Sequence, residues 1–257
     1  MTKDLFHLQG KVAIVTGGNG GIGLGIAQGL AGVGSDIVLA ARNQNKTAKA
    51  SQAIERAYGV RVLGLQVDVR HEEQILAMVK QVTETFGRID ILVNNAGMNI
   101  RKVPQELSAT EWDEILRVNL RSAFLCSNAI YPAMKKTGGG KIINIGSMTS
   151  ILGGGKLAAY GASKGGLVQL TRSLAVAWGP DNIQVNAILP GWINTDLTVG
   201  ARRDMPGLDD RVLSRTPAGR WGEPEDLVGA AVFLASVASD FVTGVALPVD
   251  GGFSIMI

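Results

Sequence analysis

An α/β fold, one doubly wound parallel sheet with helices on both faces, is what this 257-residue sequence predicts. Three observations predict it. Short β-branched runs alternate with longer helical patterns along the whole chain. The strand runs are continuously apolar rather than alternating, as a sheet buried on both faces requires. No proline- or serine-rich linker and no fixed-period repeat breaks the pattern. One domain over residues 1–257 is therefore expected.

The elements follow in order. Residues 11–16 read as a buried strand and 21–33 as a helix. A second strand at 36–40 leads into a helix through 49–58. Further strands are expected at 62–67, 89–93, 141–145, 183–188 and 245–249. Helical stretches lie between them at 71–86, 111–135, 157–178 and 225–236. Strand–helix alternation implies parallel strands joined by right-handed crossovers. The one irregular stretch is 192–222, rich in Gly, Pro, Arg and Asp.

Composition narrows the function classes. At 46% hydrophobic and 18% charged residues, the chain has ample apolar side chains for a core. The pI near 9.1 suggests a nucleic-acid partner, but the net charge is only +3. The basic residues are dispersed, with Lys135-Lys136 and Arg202-Arg203 as the densest pairs, so no nucleic-acid partner is expected. Cys126 has no cysteine to pair with, and its apolar surroundings predict a buried, inert thiol. The start, Met1 to His7, lacks the apolar run of a signal peptide. The longest uncharged apolar stretch, 227–239, is too short to span a bilayer. These features predict a soluble cytoplasmic protein with no membrane partner.

The first strand runs into Thr16-Gly17-Gly18-Asn19-Gly20-Gly21-Ile22-Gly23 and then a helix. Glycines here permit a sharp turn and let the backbone approach a pyrophosphate at the helix N-terminus. Position, between first strand and first helix, makes this a dinucleotide signal and the fold Rossmann-type. After the second strand an acidic residue would bond the adenosine ribose and favour NAD. The chain has Ala40-Ala41-Arg42-Asn43 instead. Arg42 is placed to meet a 2′-phosphate, so NADP(H) is favoured. NAD(H) stays open, because the glycine loop contains no second basic residue.

Tyr160 and Lys164 stand four residues apart, on one face of a helix. A phenol with a pKa of about 10 is a poor base at neutral pH. A nearby ammonium favours phenolate and predicts a lowered Tyr160 pKa. Ser147, after the strand at 141–145, can hydrogen-bond the reacting oxygen.

With these residues the chain resembles the short-chain dehydrogenase/reductase family from about Leu8 to Phe253. The likeness rests on Thr16-Gly17-x-x-x-Gly21-x-Gly23, Asp68-Val69, Asn94-Asn95-Ala96-Gly97, Asn119, Ser147, Tyr160/Lys164 and Pro190-Gly191. The resemblance implies that Tyr160 is general acid in reduction and base in oxidation, and that Ser147 orients the carbonyl. It implies that Lys164 holds the nicotinamide ribose and tunes Tyr160, while Asn119 holds a water that links Lys164 to bulk proton exchange. Asp68 and Val69 would contact adenine, and Asn94 to Gly97 would line the adenosine side. Ile193 and Thr195 would fix the carboxamide. No metal is implied, and a homotetramer is expected, built across the helices at 111–135 and 157–178. The mainly apolar run 253–257 offers a further assembly surface.

The substrate side carries less signal. The family places its lid at the irregular segment 192–222, which here holds Trp192, Arg202, Arg203, Asp204 and Met205. Asn99-Ile100-Arg101-Lys102 adds two cations near the cleft, and Thr149 follows Ser147 closely. That stretch, with 217–222 and 249–252, resembles the branch holding gluconate 5-dehydrogenases and 2-deoxy-gluconate 3-dehydrogenases. A sugar-acid carboxylate would suit Arg101. A solvated loop or subunit contact is the competing reading of Arg101 and Lys102. The 3-oxoacyl-carrier-protein reductases share nearly all these motifs and stand as the alternative, along with broad-range carbonyl reductases. A non-catalytic regulator would lack Tyr160 or Lys164, and both are present. His7 and His71 lie outside every motif and are expected to face solvent; Trp221 is expected to pack structurally.

Overall fold

The computed structural model describes residues 5–256. Residues 1–4 and 257, which belong to the start and the apolar end singled out above, lie outside the described residues. Seven strands form one parallel sheet: β1 (Val12–Thr16), β2 (Asp36–Ala41), β3 (Val62–Gln66), β4 (Ile91–Asn94), β5 (Gly140–Ile145), β6 (Ile183–Pro190) and β7 (Ala246–Val249). Their order is β3-β2-β1-β4-β5-β6-β7, so β1 lies between β2 and β4, with Val15 opposite Leu39 on one side and Val93 on the other. The order reverses between β1 and β4, and open α/β sheets bind ligands in the crevice outside such a reversal.

Both faces of the sheet are covered, which explains the continuous apolar runs. Ala13 and Val15 turn to a cluster with Ile26 and Leu30 of α1 (Gly21–Gly32) and Leu234 of α9 (Val228–Ala235). Their neighbours Val12 and Ile14 turn to the other cluster, which holds Ile75 and Met78 of α3 (Glu72–Phe86). Successive strand residues point to opposite faces, and here each face meets a helix layer. Cys126 is buried in that second cluster, and burial pushes its thiol up to about 12.

Several expected boundaries shift. The helix through 49–58 begins earlier, as α2 (Gln44–Tyr58), because Asn43 caps it: its side chain accepts from Lys46 N at 2.9 Å. A polar first turn hid that start from a reading of apolar periodicity. The stretch 111–135 is α4 (Ala109–Leu116) and α5 (Ser122–Lys136), joined by a π-helical turn at Arg117–Arg121. The segment 192–222 is not irregular throughout: it contains α7 (Asp196–Asp204) and α8 (Leu208–Arg215). The remaining helix, α6 (Ala158–Trp178), follows the expected span. No helix among the described residues is long and apolar enough to cross a membrane. His7 and His71 are exposed.

Candidate active site

The crevice between β1 and β4 is closed at its base by the strand ends. Thr16 Oγ1 donates to Val93 O at 3.2 Å and accepts from Asn95 N and Ala96 N at 3.0 and 3.1 Å. Asn95 Nδ2 donates back to Thr16 O and Gly17 O at 2.9 and 3.2 Å. Gly17 adopts φ +64°, which a side chain would resist. A Cβ at Gly23 would run into Asn95 Nδ2 and Gly17 O, so only glycine lets α1 start this close to β4. Ile22 packs on the core cluster beneath the loop. The N-terminus of α1 has no acidic residue in its first turn and no side-chain cap. It is a bare cradle with unpaired amide dipoles, and it fits a pyrophosphate.

Asn19 faces inward along the loop, donating to Thr47 Oγ1 at 2.9 Å, so α2 packs against the glycine turn. Arg42 is exposed and makes no ion pair among the described residues. Asp68 accepts from Arg70 Nε at 3.0 Å, and that guanidinium holds its carboxyl below the usual carboxylate range. Val69 is buried beneath. Asn94 is a core residue: its Nδ2 donates to Asn144 Oδ1 at 2.8 Å and ties β4 to β5. Beyond β6, Pro190 and Gly191 approach β7 through Gly191 N to Val249 O at 3.0 Å. Ile193 is buried, and Thr195 caps α7 with its methyl against the glycine loop, 3.2 Å from where a Gly21 Cβ would sit.

The tetrad assembles from three elements. Tyr160 and Lys164 lie on α6, with Lys164 Nζ 5.7 Å from the Tyr160 ring centroid. Lys164 is buried and donates to Ile145 O at 2.7 Å. Ser147 follows β5; its Oγ accepts from Thr149 N at 3.1 Å and hydrogen-bonds Tyr160. Asn119 lies in the π turn, and such turns recur at functional sites. Its Oδ1 accepts from Met98 N at 2.8 Å, and its Nδ2 donates to Met98 O and Ser163 Oγ at 2.9 and 3.0 Å. A Cβ at Gly97 would lie 3.5 Å from Asn119 Oδ1 and 3.6 Å from Lys164 Nζ, so glycine keeps the gap between them open.

Residues 17–254 match a family model described as enoyl-(acyl carrier protein) reductase. The chain is 44% identical to the 2-dehydro-3-deoxy-D-gluconate 5-dehydrogenase of Escherichia coli over 256 residues, 98% of this chain and 99% of that protein. It is 40% identical to the gluconate 5-dehydrogenase of Gluconobacter oxydans over 252 residues, 98% of each. The gluconate 5-dehydrogenase from Burkholderia cenocepacia, solved in complex with NADP and tartrate, superposes with a TM-score of 0.94 at 40% identity and 99% coverage of both chains. This chain belongs to the short-chain dehydrogenase/reductase family. It is an NAD(P)-dependent oxidoreductase acting on CH–OH groups.

Within this short-chain dehydrogenase, two expectations need correction. Burial raises the Tyr160 pKa above its usual value, so the phenol is not driven towards phenolate. Ser147 and the charge of Arg101 offset that rise only in part. Burial also lowers the Lys164 pKa to about 8, so its ammonium, and any pull on the phenol, is lost as the pH rises through that value. Lys102 does not line the cleft: its ammonium pairs with Glu111 at 2.5 Å on α4. In the segment 192–222, Arg202 stacks 3.6 Å over the Trp221 ring and pairs with Asp209. Trp192 meets Trp221 edge-on with centroids 5.5 Å apart, in a small core shared by α7 and α8. The Thr149 hydroxyl is buried with no partner beside Ser147. Arg101 reaches across to α7, donating to Leu197 O at 3.5 Å.

Sequence reasoning missed Lys46. It lies in the first turn of α2, and its ammonium lies over the glycine loop, 2.7 Å from where a Gly20 Cβ would be. The available signal was Asn43, whose capping places Lys46 in the first turn facing the loop.

Proposed function

We propose that this enzyme interconverts a ketone and a secondary alcohol on a sugar acid of keto-gluconate type, with NADP(H) preferred to NAD(H). The observation that supports the substrate class is Arg101, whose charge acts on Tyr160 and lowers its pKa. A carboxylate held there leaves a chain hydroxyl or ketone within reach of the phenol. The relatives named above act on gluconates, and one is solved with tartrate, itself a hydroxy acid.

A bound nicotinamide would supply the hydride in reduction and accept it in oxidation; the chain supplies the proton and the positioning. Ser147 donates to the substrate oxygen and orients it. Tyr160 gives its phenolic proton to that oxygen in reduction and takes it back in oxidation. The Lys164 ammonium, held by Ile145 O, binds the ribose hydroxyls and favours phenolate once charged. The gap above Gly97, between Asn119 and Lys164, supports Asn119 as the residue that would hold a water resupplying the proton. Gly17, Asn19, Gly21, Ile22 and Gly23 form the phosphate loop, and Arg42 reads the 2′-phosphate. Asp68, Val69, Asn95, Ala96 and Gly97 form the adenosine wall. Pro190, Gly191, Ile193 and Thr195 form the nicotinamide wall. Thr149 and Trp192 complete the substrate wall.

The chain works as one domain, with 192–222 as a substrate lid, in the cytoplasm and as a homotetramer. A groove of about 570 Å³ between α4–α5 and α6 supports the pairing: Leu116, Leu120, Phe124 and Leu170 form its apolar part, with Asp113, Arg117 and Arg121 beside them. A substrate panel tests the function. Keto-gluconates, 3-oxoacyl thioesters, neutral ketones and polyols are offered with NADPH and NADH, and cofactor absorbance is followed. The highest kcat/KM is expected on a keto-gluconate with NADPH; a 3-oxoacyl thioester outrunning it by tenfold sinks the substrate assignment.

A further inference from the structure

The N-cap of α1 is Gly20, and Lys46 lies across it. A Cβ built on Gly20 would sit 2.7 Å from Lys46 Nζ and 3.0 Å from its Cε, so the missing side chain is what admits the ammonium. The first turn of α1 carries no acidic residue, and its cap accepts no side-chain bond. A positive helix terminus and an ammonium therefore meet with one counter-charge between them. That charge is Asp196, 3.3 Å from Lys46 Nζ, with its side chain 95% exposed. So exposed a pair contributes little and exchanges readily for a better-held anion.

Position separates Lys46 from Arg42. Arg42 leaves the end of β2 close enough to Asp68 for its charge to lower that carboxyl's pKa. The Lys46 ammonium lies instead at Gly20, next to Gly21, which faces the Thr195 methyl. Lys46 and Thr195 thus flank the glycine loop, the part of the fold that the dinucleotide reading assigns to the pyrophosphate.

We infer that Lys46 is a dinucleotide-binding residue that pairs with the pyrophosphate common to NAD and NADP, and that Asp196 occupies its ammonium until the cofactor arrives. The inference rests on the dinucleotide reading of the β1–α1 loop. The two cations then divide the cofactor: Arg42 reads what distinguishes NADP, and Lys46 what both cofactors share.

Calorimetric titration of NADP⁺ and NAD⁺ into wild type, Lys46→Gln and Asp196→Asn tests it, with melting curves confirming that each variant is folded. Wild type that binds neither dinucleotide removes the cofactor reading itself. Given wild-type binding, Lys46→Gln is expected to weaken both cofactors in equal proportion, by about three- to tenfold for a half-exposed charged contact. Asp196→Asn should bind both as tightly as wild type or more tightly, because the competitor is gone. Loss confined to NADP⁺ makes Lys46 a reader of the 2′-phosphate and overturns the inference. Unchanged binding of both cofactors also overturns it. Weakening by Asp196→Asn as large as that by Lys46→Gln makes the pair a structural tie between α2 and α7, and overturns it too.

Discussion

The two walls of the cleft are built differently. The cofactor wall is made of strand ends and one turn, clamped by Thr16 and Asn95 through short bonds between neighbouring strands. The substrate wall is assembled from a loop after β4, the turn after β5 and the pair α7–α8. It is tied to the body by contacts such as Arg101 to Leu197 O at 3.5 Å and the exposed Lys46–Asp196 pair. Within itself the α7–α8 segment is well packed, with Ala201, Leu208, Val212 and Trp221 buried together. Exposed side-chain ties of this kind hold less firmly than the strand-borne bonds of the other wall. On the reading proposed above, the cofactor wall is the one built into the sheet and the substrate wall is the one able to adjust.

The largest expected effect falls where the walls meet. Tyr160→Phe should leave cofactor affinity intact and lower kcat by at least about a hundredfold, the usual scale of positioned acid–base catalysis. Single-turnover hydride transfer measures it; more than a tenth of wild-type rate would remove Tyr160 from the chemistry.

The next effect belongs to the preformed wall. Arg42→Ala should raise the KM for NADPH by about ten- to hundredfold, equivalent to roughly 1.5–3 kcal/mol of charged hydrogen bonding. NADH should be spared, and Ala41→Asp should push preference further towards NAD. Equal weakening of both cofactors would mean that Arg42 shapes the wall without reading the phosphate.

The smallest effect tests the tethered wall through pH. Oxidation requires Tyr160 as a base, so its rate should climb on the alkaline side, because burial holds the phenol protonated above its usual range. The Arg101 charge favours phenolate, so removing it raises the Tyr160 pKa. Arg101→Ala should therefore move the alkaline limb of oxidative kcat/KM to higher pH. It should also raise KM for acidic substrates more than for neutral ketones. A limb that stays in place, measured on a neutral alcohol, would separate Arg101 from the tyrosine.

Legibility followed the same division. The β1–α1 loop, the Tyr160/Lys164 pair and the alternation of strands and helices are local patterns, and each stands where the sequence predicted. The π turn at Arg117–Arg121 was hidden, because it changes helix geometry without breaking apolar periodicity. Helices α7 and α8 were hidden too. Their apolar positions serve a small core with Trp192 and Trp221, while Arg202 covers the Trp221 ring and loses its surface role.

What the sequence by itself determined is the chemistry-bearing frame: a parallel sheet, a glycine cradle after its first strand, and a tyrosine and lysine one helical turn apart. These depend on spacing within a few residues, which sequence states directly. Tertiary structure decided the electrostatics. Burial raises Tyr160 and brings Lys164 down to about 8, against the effect expected from the pair alone. Folding also removed Lys102 to Glu111 and carried Lys46 to Gly20. Desolvation and the pairing of distant charges depend on what lies nearby in space, and only the packed chain specifies that.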